Sequence, residues 1–151
     1  MVTRIAGIED LESRLGQHLG YSEWHEVTQE QVDRFADATG DHQWIHVDVE
    51  RAKAGPFGGP IAHGYLTMSL APALLAEVMA VDGVSMGVNY GLDKLRFPAP
   101  VPVGARLRVG AELRSVDRIA GGVQAGLLAT FEVEGAAKPS CVAHLLFRYY
   151  Q

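Results

Sequence analysis

The chain has 151 residues, of which 48% are hydrophobic and 21% charged, and its formal net charge is −5. That length suits one domain, 1–151, because domains hold ~100–200 residues, and the apolar content is too high for a disordered chain. The acidic balance disfavours a general nucleic-acid surface. The single cysteine, Cys141, excludes an intrachain disulfide and a cysteine-rich zinc site.

No segment predicts secretion or a membrane span. Acidic residues interrupt the first ten residues, which therefore lack the apolar stretch of a signal peptide. The most apolar run, residues 60–79, contains two prolines, a histidine and a glutamate, and it fits a buried helix better than a membrane span. We therefore expect a soluble, cytoplasmic protein with neither a membrane nor a nucleic acid as partner.

The first part of the chain predicts two short helices and a polar segment. Leucines recur every four residues over residues 9–19, a spacing that is typical of an amphipathic helix. Thr28 begins a capping box for a second helix over residues 30–38, and Gly40 is a natural helix stop. The segment from Gly40 to His46 is polar, and we expect it to be irregular.

A long buried helix is predicted next. Residues 61–79 carry two apolar stripes at helical spacing, so a helix here is apolar on most sides and must be buried on most sides. Pro72 lies inside it, removes one backbone hydrogen bond and should kink it.

The second half of the chain changes to a period of two. Apolar residues alternate with polar or small ones in three stretches, 105–113, 123–133 and 141–149, and residues 84–97 add one or two more strands. Glycine-containing segments separate the strands and indicate hairpins, which make an antiparallel sheet. The sequence therefore predicts an α+β fold in which the sheet covers a long central helix.

Asp41 and His46 are the strongest candidates for chemistry. A carboxylate and an imidazole five residues apart on a loop can hold one water for general acid–base catalysis near neutral pH. The alternative is that Asp41 caps a turn and His46 is a satisfied structural residue. A metal pair of His42 and His46 would need a helix that Gly40 disfavours, and no third ligand is evident.

A second candidate lies where the buried helix begins. The backbone N–H of Gly64 at a helix start can stabilise an oxyanion, and a glycine lets a substrate carbonyl approach closely. Alternatively, Gly64 only allows close packing. His63 is either a ligand-binding residue or a hydrogen bonder at the helix start. Motifs for a nucleophilic serine, a dinucleotide or a phosphate loop are absent.

At these residues the sequence resembles the MaoC-like (R)-specific enoyl-CoA hydratase family, including its mycobacterial short-chain and nodulation protein N-like members. Three segments carry the resemblance, in the order of the family: Phe35, Thr39, Gly40-Asp41-His42-Gln43-Trp44-Ile45-His46 and Ala52; Pro60-Ile61-Ala62-His63-Gly64; and Tyr90 to Gly104, with Lys94 and Arg96. The family usually has Asn-Pro where this chain has Gln43-Trp44.

The resemblance implies a hot-dog fold, in which an antiparallel sheet wraps a long central helix, and an acyl-CoA-binding homodimer without a cofactor or metal. It implies hydration of trans-2-enoyl-CoA to (3R)-3-hydroxyacyl-CoA. Asp41 would act as base, His46 would orient the water and supply or relay a proton, and Gly64 would bind the oxyanion. The remaining candidates for substrate binding are Gln43, His63, Lys94 and Arg96, the last two for the phosphates or for a structural role.

Three alternatives stay open. The same fold could dehydrate a (3R)-hydroxyacyl-acyl-carrier protein, although the net charge of −5 disfavours docking of an acidic carrier unless a basic patch exists. It could hydrolyse a thioester, with Asp41 directing water to the carbonyl. It could also bind acyl-CoA without turnover. Some family members have a serine eight residues beyond the glycine, where this chain has Pro72, so no such role is expected here.

Overall fold

The computed structural model describes residues 1–151, which form six helices and eight strands. The helices are α1 (Ile8–Ser13), α2 (Gln29–Thr39), α3 (Trp44–Val47), α4 (Val49–Lys53), α5 (Gly64–Ser69) and α6 (Ala71–Leu75). The strands are β1 (Thr3–Ile5), β2 (His18–Tyr21), β3 (His25–Glu26), β4 (Met79–Val81), β5 (Met86–Arg96), β6 (Arg106–Ile119), β7 (Gly122–Val133) and β8 (Cys141–Tyr150). None of the helices has the length and apolar character needed to span a membrane.

The main sheet confirms the predicted antiparallel strands. Its order is β2–β6–β7–β8–β5, with β3 also paired to β6, and every pairing is antiparallel. On β7, every second residue from Val123 to Phe131 is buried, so the period of two marks the inner face of the sheet. That face and the helices share a core of 26 buried residues, which includes Cys141. The α+β prediction is confirmed.

The central helix is shorter than predicted. In place of one helix over residues 61–79, α5 and α6 follow each other with a break at Leu70. Pro72 lies in the first turn of α6, where its missing N–H costs least, so the predicted interruption is confirmed. The prediction that the helix reaches Met79 is wrong, because the chain turns after Leu75 and Met79 opens β4. A short apolar run does not distinguish a helix from a buried strand.

The first helix is also shorter than predicted. It ends at Ser13, and Gly16 then adopts a left-handed φ of 84° that reverses the chain. Leu15 is consequently 55% exposed, while Leu19 is buried on β2. The leucine spacing thus spans two different elements.

One long edge of the main sheet has no neighbour. Strand β5 pairs only with β8, and ten of its eleven residues are exposed. The exposed side chains include Met86, Tyr90 and Leu92. An unpaired edge of this length is a template for pairing with another strand.

Candidate active site

The end of α2 positions Asp41. Thr28 accepts a hydrogen bond from the N–H of Gln31 and starts the helix, as predicted, and Gly40 ends it with a left-handed φ of 84°. Asp41 follows at once, and its Oδ1 accepts the N–H of Gln43 at 3.3 Å. One carboxylate oxygen of Asp41 therefore caps a turn, as the structural alternative predicts. The side chain is nevertheless exposed, so the other oxygen remains open to solvent.

His46 lies on α3 with its ring buried and one nitrogen fixed. Its Nδ1 is 2.6 Å from the carbonyl oxygen of Ile61, and because a carbonyl only accepts, Nδ1 carries the hydrogen. Burial lowers the pKa of His46, and the hydrogen bond to Ile61 opposes that shift. In the neutral ring that results, Nε2 has a free lone pair and acts as an acceptor.

His63 lies between these two residues. Its ring is 2% exposed, and its Nε2 donates to the backbone carbonyl of Asp41 at 3.0 Å. The ring stacks on His46 at 3.9 Å between centroids and 26° between planes. The structure therefore gives His63 contacts within the chain, and its Nδ1 is buried without a partner.

Asp41, His46 and His63 offer one oxygen and two nitrogens within 4.8 Å of one another. Two hydrogen bonds of ~2.8 Å from a shared water span such a distance. The three residue types also bind metals, and each ring keeps one nitrogen free, because the other is hydrogen-bonded to a backbone carbonyl. His42 is outside the group and pairs with Asp37 at 2.9 Å.

A cavity of about 440 Å³ opens beside the group and is lined by His46 and Gly64. Its walls are mostly apolar and include Phe97. Two buried hydroxyl side chains, Thr67 and Ser140, also line it, and neither was among the residues predicted for the site from the sequence. The signal for Thr67 is its position three residues after Gly64, which places both on one helix face. A second cavity, of about 280 Å³ between α5, α6 and β5, holds none of the predicted site residues.

Both interpretations of Gly64 apply in the structure. A Cβ at this position would lie 2.9 Å from the ring of Phe97, so close packing requires a glycine unless that ring moves. As the first residue of α5, Gly64 also has an N–H without a partner inside the helix. The small residue and the free donor therefore occur together at the cavity wall.

Gln43 contributes its backbone to the site. Its carbonyl accepts the N–H of His46 at 3.0 Å, and its side chain makes no hydrogen bond. Trp44 occupies the first position of α3, where a proline is also favoured, and the guanidinium of Arg51 covers its ring at 4.3 Å.

Lys94 and Arg96 lie apart from the catalytic group. They pair on β5 with His144 and Val142, whose neighbours on β8, Cys141 and Ala143, point into the core. Because side chains alternate along a strand, Lys94 and Arg96 point to the outer face of the sheet. Phe97 follows directly and lines the cavity.

Comparison with known proteins identifies the family. Residues 10–130 match the family described as MaoC like domain. The chain belongs to the MaoC-like dehydratase family. The 3-hydroxyacyl-thioester dehydratase Z of Mycobacterium tuberculosis is 54% identical over 143 residues, which cover 94% of this chain and 95% of that protein. Nodulation protein N of Rhizobium meliloti is 41% identical over 91% of this chain and 87% of its own length.

A solved structure agrees on the fold. The R-hydratase PhaJ1 from Pseudomonas aeruginosa superposes with a TM-score of 0.72 over 91% of this chain and 82% of its own, at 23% identity. This MaoC-like dehydratase therefore has the hot-dog fold. Its membership of the dehydratase family, shown by the family match and the 54% identical relative, makes it a hydro-lyase. The predicted family and fold are confirmed.

Proposed function

We propose that the protein is an (R)-specific enoyl-CoA hydratase that adds water to trans-2-enoyl-CoA and gives (3R)-3-hydroxyacyl-CoA, in a reversible reaction of lipid metabolism. The observation that carries the proposal is the group of Asp41 and buried His46 within 4.8 Å, beside an apolar cavity. The names of the dehydratase Z and R-hydratase relatives support a thioester substrate and the R configuration. We further propose that residues 1–151 act as one domain.

The reaction needs one proton to leave the water and one to reach C2. Asp41 accepts a proton from the water while the oxygen of that water adds to C3. The neutral His46 holds the water through the Nε2 lone pair, because Nδ1–H is bound to Ile61. His46 therefore relays a proton and does not supply one of its own. Its Nε2 takes up the proton from Asp41 and passes it to C2, which returns both residues to their starting states.

The N–H of Gly64 stabilises the enolate oxygen that forms when water adds to C3. The donor lies on the cavity wall that also carries His46, so one bound thioester can reach both. A donor fixed before the reaction stabilises developing charge without reorganising.

Measurement of enoyl absorbance tests this proposal. With crotonyl-CoA, the wild type should lower the ultraviolet absorbance of the enoyl thioester without releasing free thiol, and Asp41→Asn should lose about 10²–10⁴-fold of that rate. Release of thiol would instead establish a thioesterase. Binding without any absorbance change, with enoyl-CoA of several lengths, would establish the non-catalytic alternative.

Lys94 and Arg96 are proposed to bind the phosphates of CoA. Neither pairs with a carboxylate. Lys94→Gln and Arg96→Gln should raise the KM for crotonyl-CoA and leave the KM for crotonyl-pantetheine unchanged, since that substrate lacks the nucleotide. Arg34→Gln, which removes an exposed arginine on α2, is the matched control. Equal KM changes for both substrates would contradict the phosphate role.

One observation favours the carrier-protein substrate as a second candidate. On the outer face, His144 and Arg148 of β8 extend the basic pair, and no carboxylate pairs with any of the four. An acidic carrier protein could dock on this basic patch even though the net charge of the chain is −5. A higher kcat/KM for crotonyl-acyl-carrier protein than for crotonyl-CoA, lost in Arg148→Gln, would favour this candidate.

We also propose a homodimer formed through the exposed edge of β5. Pairing of two such edges would satisfy their free backbone groups and cover the exposed apolar side chains. Sedimentation should give twice the chain mass, and Asn89→Pro, which removes an N–H from the unpaired side of β5, should shift the protein to monomers. A monomeric wild type at micromolar concentration would overturn the dimer.

A further inference from the structure

His63 makes the one hydrogen bond that ties the Asp41 segment to a distant part of the chain. Every other hydrogen bond of residues 40–43 goes to a partner within residues 36–47. The two that hold Asp41 locally are long, at 3.4 Å to Thr39 and 3.3 Å to Gln43. The 3.0 Å bond from His63, 22 residues away, is the shortest contact that Asp41 makes.

The same side chain also supports His46. The ring of His63 lies between Phe35 of α2, at 4.8 Å, and His46, at 3.9 Å. His46 is thereby held on one edge by Ile61 and on one face by His63. His63 directly precedes α5, whose first residue is Gly64. It therefore connects Asp41 and His46 to the start of that helix.

We propose that His63 is a positioning residue that holds both members of the catalytic pair, Asp41 through its Nε2–H and His46 through its ring face. This inference rests on the proposed function, in which the two residues share one water. It replaces the expectation that His63 binds substrate. The burial of His63 and the absence of His63 from the cavity wall support that change.

Two substitutions separate the two contacts. His63→Gln keeps an N–H donor for the Asp41 carbonyl and removes the ring, whereas His63→Phe keeps a ring for His46 and removes the donor. Each should lower kcat by ~10–100-fold, because small displacements of catalytic groups cost factors of this size. The KM for crotonyl-CoA should stay within twofold, since the cavity and Gly64 are untouched. A kcat within threefold of wild type in both variants would overturn the proposal.

A double-mutant comparison separates positioning from a general structural role. If His63 acts through Asp41, adding His63→Phe to Asp41→Asn should lower the residual rate by less than threefold. If the two losses multiply, His63 acts independently of Asp41 and the proposal is wrong. Thermal unfolding of each variant, with rates expressed per folded molecule, accounts for lost stability.

Hydrogen exchange tests the positioning without any assay of activity. In His63→Phe, the backbone amides of residues 40–46 should exchange at least tenfold faster, while those of β7 should keep their wild-type rates. Unchanged exchange at residues 40–46 would overturn the positioning role. A wild type that does not hydrate crotonyl-CoA but shows the exchange effect would refute the proposed function alone.

Discussion

The inner face of the main sheet and the segment from Gly40 to His46 are built in opposite ways. On β7, alternate side chains such as Leu127 and Phe131 are buried among other apolar side chains. At the segment, backbone carbonyls fix two imidazoles. The carbonyl of Ile61 binds His46, which lies in the segment, and the carbonyl of Asp41 in the segment binds His63. The sheet therefore depends on which side chains it contains, whereas the site depends on where the backbone places its carbonyls.

This difference separates stability from catalysis. Apolar burial stabilises the fold in proportion to the area buried and tolerates similar shapes. A buried imidazole with one fixed nitrogen has a defined tautomer and a defined direction, which proton transfer needs. Substitutions on the sheet should therefore act on the free energy of unfolding, and substitutions in the segment on kcat.

The largest loss of kcat is expected from a substitution in the segment from Gly40 to His46. His46→Asn keeps an N–H donor close to the place of Nδ1 and removes the acceptor Nε2, so the protein should fold while hydration of crotonyl-CoA falls by ~10²–10⁴-fold. The measurement is kcat, with the thermal unfolding midpoint as a check on folding. His42→Asn, at an exposed histidine that pairs with Asp37, is the matched control and should retain wild-type kcat. A His46→Asn variant with wild-type kcat would remove His46 from the mechanism.

On the sheet, the effect should fall on stability instead. Phe131 is fully buried, and Phe131→Ala should lower the free energy of unfolding by ~3–5 kcal/mol, measured by urea titration. The kcat per folded molecule should stay within about threefold, because Phe131 does not line the cavity beside His46. If kcat fell with stability intact, the separation of the two regions would be wrong.

The same difference explains what the sequence could predict. Strands β6 to β8 follow from a period of two, and the cap at Thr28 and the stop at Gly40 follow from local backbone chemistry. Asp41, His46, His63 and Gly64 could be named in advance because their motifs lie close together in the sequence. The stacking of His46 on His63 could not be, since it joins residues 17 positions apart through contacts that leave no periodic pattern.

The limits of the helices could not be predicted for a related reason. The apolar spacing over residues 61–79 continues past the end of α6 at Leu75, because buried turns and strands need apolar residues as much as helices do. The first predicted helix failed similarly, where Leu19 belongs to β2. Spacing identifies residues that are buried, and it does not say which backbone conformation buries them.

A smaller effect is expected in the pH dependence of the free energy of unfolding. Burial holds the pKa of His46 below its ordinary value of about 6.5. The unfolded chain therefore binds more protons than the folded protein just below pH 6.5, and the free energy of unfolding should fall as the pH drops from 6.5 toward the lowered pKa. The kcat/KM should stay level at pH 6.5–7 and fall only below that lowered pKa. Urea titrations of wild type and His46→Asn across this range should differ in slope; equal slopes would contradict burial of an unprotonated ring.

The smallest change in activity is expected at Gln43, where we predict that the backbone alone contributes to the site. Gln43 holds His46 through its carbonyl, and its side chain makes no hydrogen bond. Gln43→Asn should therefore change kcat and KM for crotonyl-CoA by less than about twofold, because the exposed amide shortens by one methylene and the backbone contacts remain. A tenfold change in KM with unchanged stability would show that the side chain reaches the substrate. In that case backbone carbonyls would still position His46 and His63, but the contribution of Gln43 to the site would come from its side chain as well.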